Sequence, residues 1–565
     1  MELIRVYLLA GLVLHKVVWE VLRQGLDKRG RLPGFRPIKA VKMAALAFLL
    51  LQPFLPELLP IAARPAVVHA AGLLLFTTGL VVAITARLQL GRNWSDLEAA
   101  AVQPGQALVR TGLYRDIRHP IYLGDLLLVA GFELALNSWL VLLALPLAAF
   151  IWRKAAQEEA ILAAGFAGYG EYVANSGRFL PRCAAVGIAA AAAVFCLQLA
   201  QVHINHEGNW TGLFLTSAWE KQLIPPELKS EHIRIQPGSM GYDGQYYHFM
   251  AHDPLPDGTM QAFIDAPGLR YTRILAPGLA YLLALGRSEW VDPAFFALNL
   301  LFFFLGAWWL AQLAVRAGCS RYLGLTFLLI PAALISIERV TVDLPLIALC
   351  CGFAVYALEN RLGMLFGVVL AATLARETGG LLVGSAGLWL LLQRRWLPAF
   401  AFGAAAIPFF AWRQYVQENV PRFYSDHVSI STSGFAFFVR FLHPIPYGFP
   451  APISAAATAL DYISLAGVAL AIVLAAVVLF RRPQDPVVLG ALPFATLPLV
   501  LGGIVGWYEP FGYPRTLSPL FLFLGIIALR TGWRLPLLPL ALILPRILMQ
   551  LAPQLPLVRL MMGGS

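Results

Sequence analysis

Charged side chains are scarce in this sequence: Asp, Glu, Lys and Arg make up 13% of its 565 residues, whereas 59% are hydrophobic. Soluble domains carry about 25% charged residues, so this composition, with a mean hydropathy of +0.70, excludes a soluble fold. Apolar runs of roughly 20 residues recur, the length that crosses about 30 Å of hydrocarbon. The sequence predicts an all-α polytopic membrane protein with about sixteen transmembrane helices in two fused bundles and one large outer loop.

Cysteine is also rare, and the spacing of the five cysteines fits no metal site. None of them lies in the polar segment 204–270, so no disulfide framework is predicted. No basic segment precedes the first apolar run, and we therefore expect no cleavable signal peptide. The net charge of +11 would suggest nucleic acid for a soluble protein. Here Lys and Arg lie in short loops that set membrane orientation, so we predict no nucleic-acid partner.

The positive charges predict the topology of the first part of the chain. The first apolar span is followed by a strongly basic loop, residues 23–42, which the positive-inside rule places in the cytoplasm. Spans near 43–62 and 67–88 then form a hairpin that returns the chain to the same side. The polar segment 89–120 is therefore predicted to be cytoplasmic.

Four separated motifs follow one another from this segment onward. They are Gly-Leu-Tyr-Arg-Asp-Ile-Arg-His-Pro-Ile-Tyr-Leu-Gly at 112–124, Glu-Glu at 158–159, Phe-Ala-Gly-Tyr-Gly-Glu-Tyr at 166–172 and Arg-Phe-Leu-Pro at 178–181. Over residues 1–182 this ordered set resembles the isoprenylcysteine carboxyl methyltransferase and phospholipid methyltransferase superfamily. The resemblance implies a cytoplasmic S-adenosylmethionine pocket with Arg178 near the methyl acceptor as a catalytic residue, and with these cofactor contacts: Arg118, His119, Tyr122, Gly124, Glu158 and Glu159.

The residues support a cofactor site without that resemblance. Residues 121–152 predict a hairpin of two helices broken near Leu136-Asn137-Ser138. His119 begins one arm and Glu158-Glu159 follow the other, so these groups meet at one membrane face. S-adenosylmethionine carries a carboxylate, an ammonium, a ribose diol and a sulfonium, which need cationic donors and carboxylate acceptors together. Two alternatives stay open: the charges only anchor helix ends at the interface, or the unit is a sterol-type reductase that uses NADPH.

The longest segment that cannot lie in a bilayer is 204–270, which is rich in Glu, Asp, Lys, Pro and Gly. Its acidic residues outnumber its basic ones, and a span from Ala184 to His203 leads to it, so we place it outside. The later basic clusters are cytoplasmic if residues 271–286 form an interfacial or re-entrant helix. About eleven spans then belong to residues 183–565.

Two short elements mark the centre and the end of this outer segment, Gly-Tyr-Asp-Gly-Gln-Tyr-Tyr at 241–247 and Arg-Tyr-Thr-Arg-Ile-Leu-Ala-Pro at 270–277. Together with the layout they resemble polytopic GT-C-type glycosyltransferases, especially mannosyltransferases, over about residues 183–551. The resemblance implies a polyprenyl-phosphate sugar donor, Asp243 as the catalytic base, and lipid-phosphate contacts from Arg273, Arg339 and Arg376. A carboxylate that takes the acceptor's proton and cations that stabilise the departing phosphate suit this transfer.

Alternatives remain for residues 183–565. Asp243 could belong to a tight turn, because Asp-Gly is a common turn pair. The spans could also form a flippase or carrier for a lipid-linked substrate, although no internal repeat favours one. The outer segment holds no Asp-x-Asp pair, so no metal ligand is predicted. We expect a multi-pass protein of a bacterial inner membrane with membrane lipids as partners.

The two predicted sites face opposite sides of the membrane, so no small soluble intermediate passes directly between them across about 30 Å of hydrocarbon. A lipid could serve both sites. We therefore hypothesise one lipid pathway in which cytoplasmic methylation precedes flipping and outer sugar transfer. The alternative is a fusion of two enzymes that share no substrate.

Overall fold

The computed structural model of the chain describes residues 2–23, 44, 47–55, 58–61, 66–93, 107–217, 224–236, 239–420, 435–500 and 507–554. The chain forms two compact units, Met1–Arg182 (unit 1) and Cys183–Ser565 (unit 2). Most of the predicted basic loop 23–42 and part of the predicted span 43–62 lie outside the described residues. Helices dominate the described part of both units.

Six described helical segments are long and apolar enough to cross a membrane: 71–90, 139–165, 184–205, 288–316, 451–481 and 535–554. A seventh span results if Arg321–Leu329 and Pro331–Glu338, which meet at a bend of 68°, are one broken span. The protein is a multi-pass membrane protein, but the predicted number of about sixteen spans is not confirmed. Hydropathy counts apolar length, whereas several apolar segments fold as shorter helices; a 14-residue helix such as Leu362–Ala375 rises only about 21 Å.

Unit 1 contains α1 (Glu2–Arg23), α2 (Ala66–Leu90), α3 (Pro120–Ala135), α4 (Ala144–Gly165) and α5 (Tyr169–Asn175). The break predicted near residues 136–138 is present between α3 and α4. There Asn137 has a φ of 58°, and Ser138 Oγ accepts a hydrogen bond from Leu140 N at 3.1 Å, capping a 3-10 turn. The break lets α4 run back toward the start of α3.

Glycines bring α2 and α3 into backbone contact. Gly72 and Gly79 lie two turns apart on α2, and Gly124 and Gly131 lie two turns apart on α3, so each pair occupies one helix face. A Cβ added at Gly124 would lie 2.6 Å from Ala83 N, and one added at Gly131 would clash with the backbone of Phe76. Small residues at such faces let membrane helices approach closely. This contact fixes α3, whose first turn carries part of the candidate site.

Unit 2 contains seventeen helices among its described residues, which are α6 (Ala184–Asn205), α7 (Gly244–His252), α8 (Pro267–Arg270), α9 (Leu275–Leu283), α10 (Ser288–Arg316), α11 (Pro331–Glu338), α12 (Asp343–Leu358), α13 (Leu362–Ala375), α14 (Leu381–Leu392), α15 (Trp396–Gly403), α16 (Ile407–Asn419), α17 (Phe435–Leu442), α18 (Ala451–Arg481), α19 (Pro486–Val500), α20 (Gly512–Thr516), α21 (Ser518–Thr531) and α22 (Leu538–Leu551). Between α6 and α7 lies a parallel pair of two-residue strands, β1 (Thr216–Ser217) and β2 (Ile235–Gln236). The segment 271–286, predicted to be interfacial or re-entrant, forms α9, which is about 14 Å long and too short to cross a bilayer.

The main core of unit 2 packs around α10, α12, α19 and α21. The Phe523 ring lies 6.0 Å from that of Phe353 and 6.2 Å from that of Phe494, and all three side chains are buried. Cys350 and Cys351 are buried on α12 in the same core, as expected for packing residues.

Candidate functional site

Two extended segments of unit 1 pair side by side and position the first candidate site. The backbone N–H groups of Arg118 and His119 donate to the carbonyls of Gly177, at 2.8 Å, and Arg178, at 3.0 Å. His119 is the N-cap of α3, and Pro120 follows at the first helical position, where its missing N–H is not needed. Backbone hydrogen bonds therefore hold the predicted residues 118, 119 and 178 next to one another.

Glu159 on α4 connects these residues through its carboxylate. It accepts a hydrogen bond from Arg118 Nε at 2.8 Å and a bidentate pair from Arg178 Nε and Nη2 at 3.0 and 2.7 Å. His119 Nε2 lies 3.3 Å from the same carboxylate. The Glu159 hydrogen bonds raise the pKa of Arg178 above its ordinary value. Bidentate, charge-assisted contacts of this kind fix geometry as well as adding energy.

Glu158, the neighbouring residue, contacts a different set of side chains. Its carboxylate accepts a hydrogen bond from Tyr122 Oη at 2.9 Å and lies 3.6 Å from His119 Nδ1. The His119 and Tyr122 rings stack with centroids 5.4 Å apart. The Glu158 side chain is 42% exposed, whereas that of Glu159 is 12% exposed. Glu158 is therefore the more accessible of the two acids.

A cavity opens beside these side chains, within unit 1. Four predicted residues line it: Arg118, His119, Tyr122 and Glu158. Its other aromatic or polar lining residues are Trp19, Asn93, Tyr114, Asp125, Phe166, Tyr169 and Tyr172. The lining thus combines two carboxylates, two cationic or imidazole side chains and several aromatic rings in one space.

The remaining predicted residues of unit 1 are not part of this lining. Glu159 and Arg178 lie behind it, where they hold Arg118 and His119 in place. Gly124 packs against Ala83 of α2, so its role in the structure is close helix contact. Arg178 also lies over the Trp152 ring, 4.7 Å from its centroid.

The tyrosines at the cavity are held neutral by their surroundings. Burial raises the pKa of Tyr172 to about 12 and raises the pKa values of Tyr114 and Tyr169 further. Tyr172 Oη donates to the Tyr114 carbonyl at 2.6 Å. These phenols therefore act as hydrogen-bond donors and apolar ring faces at neutral pH.

Sequence reasoning named too few residues for this cavity. Tyr114 and Tyr172 belong to the motifs at 112–124 and 166–172, but the sequence predicted no role for either residue. Asp125 lies three residues after Tyr122 on α3, and that helical spacing was a usable signal. Trp19 had no such signal, because α1 reaches the cavity only through tertiary packing.

In unit 2, Asp243 lies between two arginines at the start of α7. Its carboxylate accepts hydrogen bonds from Arg270 Nη2 at 3.0 Å and Arg515 Nη2 at 2.6 Å. Burial alone would raise the pKa of Asp243, but Arg270 and Arg515 outweigh burial and hold this pKa well below its usual range. The Asp243 side chain makes no capping hydrogen bond to α7. A role in a tight turn alone therefore does not explain its contacts with Arg270 and Arg515.

The predicted phosphate-binding arginines are ion-paired in a buried network. Arg273 makes a bidentate pair with Glu377 at 2.8 and 2.8 Å. Arg376 contacts Asp343, which also lies 3.1 Å from Arg515 Nε. Ionised side chains from widely separated parts of the chain, Asp243, Arg273, Asp343, Arg376, Glu377 and Arg515, therefore meet in one network.

Arg339 lies at one side of this network and stacks on an aromatic ring. Its guanidinium is 4.5 Å from the Tyr242 centroid, and that of Arg515 is 5.1 Å from the same ring. Arg339 also contacts Glu338 at 3.1 Å and Gln554 at 2.6 Å. Among the described residues, four buried side-chain atoms of these three residues make no hydrogen bond: Arg339 Nε, Arg515 Nε, Arg515 Nη1 and Tyr242 Oη. The two stacked arginines therefore form a cluster of N–H donors beside the Tyr242 ring.

Comparison with known proteins bears on unit 1. The family model described as phospholipid methyltransferase matches residues 67–168. No curated protein and no solved structure matches the chain. The matched segment includes α2, α3 and α4 and holds Arg118, His119, Tyr122, Glu158 and Glu159. Unit 1 of this multi-pass membrane protein therefore contains a segment similar to the phospholipid methyltransferase family.

Proposed function

We propose that unit 1 is an S-adenosylmethionine-dependent methyltransferase that acts on a lipid or another membrane-embedded acceptor. The observation that carries this proposal is the cavity lined by Arg118, His119, Tyr122 and Glu158 inside a segment similar to phospholipid methyltransferases. When bound, S-adenosylmethionine supplies an electrophilic methyl group on its sulfonium.

The residues present fit such a cofactor. Glu158 and Asp125 offer carboxylates to an ammonium and a ribose diol, and Tyr114 and Tyr172 offer ring faces to a purine. The buried His119 Nε2 lies 3.3 Å from the Glu159 carboxylate, so Glu159 orients the ring that lines the cavity. The chain's own work is to bind, orient and shield the cofactor, because a methyl transfer needs positioning more than proton movement.

Arg118 and Arg178 position the cavity and do not need to touch the cofactor. Arg118 Nη1 donates to the Ser176 carbonyl at 2.5 Å and Arg118 Nε donates to Glu159, which ties the segment after α5 to α4. Arg178 lies 23% exposed beside that pair. A lipid acceptor held near Arg178 would meet a cation suited to a phosphate headgroup.

Binding measurements on the purified full-length protein test this proposal. We expect saturable binding of S-adenosylmethionine and no competition by NADPH. Glu158→Gln should weaken binding by about tenfold, because it removes one charge-assisted contact. Glu171→Gln is the matched control, since Glu171 is 74% exposed and not in the lining, and it should bind as the wild type does. Preferential NADPH binding would favour the reductase alternative, and equal affinity of wild type and Glu158→Gln would favour simple helix anchoring.

For unit 2 we propose a second function, sugar transfer from a polyprenyl-phosphate donor. The supporting observation is Asp243 between Arg270 and Arg515, together with the N–H and hydroxyl donors of Arg339, Arg515 and Tyr242 that make no hydrogen bond. In this state the two arginines lower the proton affinity of Asp243, which does not suit a base. A donor phosphate that engages Arg515 would release one of them and raise that affinity, coupling donor binding to base strength.

Transfer from a labelled polyprenyl-phosphate sugar, followed on the full-length protein, tests this second function. Asp243→Asn should lower turnover by about 10²- to 10⁴-fold with little change in donor affinity. Tyr242→Phe removes only the free hydroxyl and should weaken donor binding instead. Asp265→Asn is the matched control, because it changes a different carboxylate that accepts a hydrogen bond from Arg270. It should keep the turnover of the wild type. A flippase or carrier would leave the donor intact.

A further inference from the structure

Four ligand-type side chains converge in unit 2, and none of them belongs to the Asp243 network. They are Glu231, His248, His252 and Asp292, and one ligand atom from each lies within 4.8 Å of the others. His248 and His252 lie one turn apart on α7, Glu231 ends the 3-10 turn Pro226–Glu231, and Asp292 lies in the first turns of α10. The sequence-based expectation was that no metal ligand is present; the His-x-x-x-His spacing at 248–252 was the available signal.

The centre of this cluster faces nitrogen and oxygen atoms without hydrogen-bond partners. Among the described residues, His248 Nε2, His252 Nε2 and Asp292 Oδ1 are buried and make no aligned hydrogen bond. The His248 side chain is 0% exposed and that of His252 is 3% exposed. Leaving such groups unsatisfied costs about 1–3 kcal/mol each, and a cation at the centre would satisfy them.

A hydrogen-bond chain fixes which nitrogen of His252 faces the centre. Ser288 Oγ donates its proton to Glu231 Oε1, so it accepts the 2.8 Å hydrogen bond from His252 Nδ1. The Nδ1 atom therefore carries the hydrogen, and Nε2 presents its lone pair toward Glu231 and Asp292. Metal-binding histidines are typically oriented by such a hydrogen bond from their other nitrogen.

The spacing of His252 Nε2 from the two carboxylates fits a small divalent cation, whereas His248 Nε2 and Asp292 Oδ1 lie closer, at hydrogen-bond distance. His252 Nε2 lies 3.4 Å from Glu231 Oε2 and 3.5 Å from Asp292 Oδ1, and His248 Nε2 lies 2.8 Å from that Oδ1. Tetrahedral ligands at about 2.0–2.1 Å from zinc are about 3.3 Å apart. Imidazole favours zinc and similar transition metals over magnesium or calcium. The His248 ring is further held by stacking on Phe214, with centroids 4.1 Å apart.

We propose that Glu231, His248, His252 and Asp292 form a structural zinc site. The ion would join the 3-10 turn Pro226–Glu231, the end of α7 and the start of α10. Asp243 lies at the other end of α7, about 7.5 Å of helix rise before His248 and about 13 Å before His252, and is not one of the proposed ligands. Four protein ligands leave no open position, which is typical of structural rather than catalytic zinc.

Equilibrium dialysis of the chelator-stripped full-length protein against Zn²⁺ tests the site. We expect one zinc per chain and a higher melting temperature with zinc than without it. Glu231→Gln and His252→Gln should each weaken zinc binding by at least about tenfold and abolish the thermal gain. His203→Gln alters an exposed histidine outside the cluster and should bind zinc as the wild type does.

Glu231→Gln keeps the proposal falsifiable if the buried histidine variant does not fold, because Glu231 ends a loop turn and is partly exposed. X-ray absorption of the zinc-loaded wild type should show nitrogen and oxygen ligands at about 2.0–2.2 Å, including imidazole. Wild-type zinc content equal to that of Glu231→Gln, or a sulfur-dominated spectrum from exposed Cys196 or Cys319, would overturn the site.

Discussion

At the residue scale, two adjacent glutamates on α4 have different tasks. Successive helix residues point about 100° apart, so Glu158 and Glu159 address different neighbours. Glu158 faces the cavity and contacts Tyr122, whereas Glu159 holds Arg118 and Arg178. Glu159 is therefore a positioning residue, and Glu158 remains accessible to a ligand. Glu159 thus holds the arginines of the candidate site in place, and Glu158 lines the cavity next to them.

Replacing Glu159 by alanine should destabilise unit 1. The change leaves the Arg118 guanidinium, which is 9% exposed, without its carboxylate, and removing one partner of a buried ion pair costs about 3–5 kcal/mol. Glu171→Ala alters an acid that is 74% exposed and should change stability by less than about 0.5 kcal/mol. Thermal unfolding in detergent measures both. Equal melting temperatures would show that the Glu159 contacts contribute nothing to stability.

Tyr172 gives a pH dependence with a defined sign. Burial raises its pKa to about 12 from an ordinary value of about 10. Above pH 10 the phenol ionises in the unfolded chain but stays neutral in the folded one, so stability falls as pH rises from about 10 to 12. Tyr172→Phe removes this contribution and should give a shallower fall, measured by unfolding at stepped pH. Identical slopes for the two proteins would mean that Tyr172 is not buried as described.

At the scale of secondary structure, glycine decides how α2 and α3 pack. Gly131 has the Phe76 backbone against it, and a Cβ added at Gly79 would lie 2.6 Å from the carbonyl oxygen of Gly124, so neither site has space for a side chain. Because α3 begins at His119 and Pro120, any displacement of this helix moves the cavity wall. The packing of α3 against α2 therefore determines the position of the cavity wall in unit 1.

Gly131→Ala should therefore lower both stability and cofactor affinity. Overpacking a tight contact typically costs about 1–3 kcal/mol, because the helices must separate. Gly170→Ala is the matched control: Gly170 lies in α5 with no atom near the added methyl, and alanine there should be neutral or stabilise by up to about 1 kcal/mol. Unfolding and S-adenosylmethionine binding are measured on both variants. A Gly131→Ala protein with wild-type stability would contradict the close α2–α3 contact.

The sequence correctly predicted the structural features that depend on the local order of polar and apolar residues. The break at residues 136–138 and the meeting of His119 with Glu158 follow from polar residues placed at helix ends. The number of spans was not confirmed, because apolar length does not reveal bends such as the 68° one before Pro331. The cluster of His248 and Asp292 depends on α7 packing beside α10, a contact between distant segments that no local spacing encodes.

At the scale of the whole molecule, each unit holds its own candidate site of charged side chains in a chain that is 59% hydrophobic. Buried ionisable groups in membrane proteins are expensive, so they persist where they serve a function. Unit 1 has the cavity beside Glu158, and unit 2 has the network around Asp243. We propose a membrane lipid as the common substrate class, because a lipid can move between two sites without leaving the bilayer. The hypothesis of one shared lipid pathway follows from this property.

Full-length variants with one defective site test that hypothesis in cells that lack the wild-type protein. If methylation precedes sugar transfer, Glu158→Gln should accumulate an unmethylated lipid and reduce the glycosylated product, because the later step loses its substrate. Asp243→Asn should instead accumulate the methylated lipid, which fixes the order of the two steps. Mass spectrometry of extracted lipids measures both intermediates. A Glu158→Gln strain that makes the complete, unaltered glycosylated product would show that the two units share a chain but not a pathway.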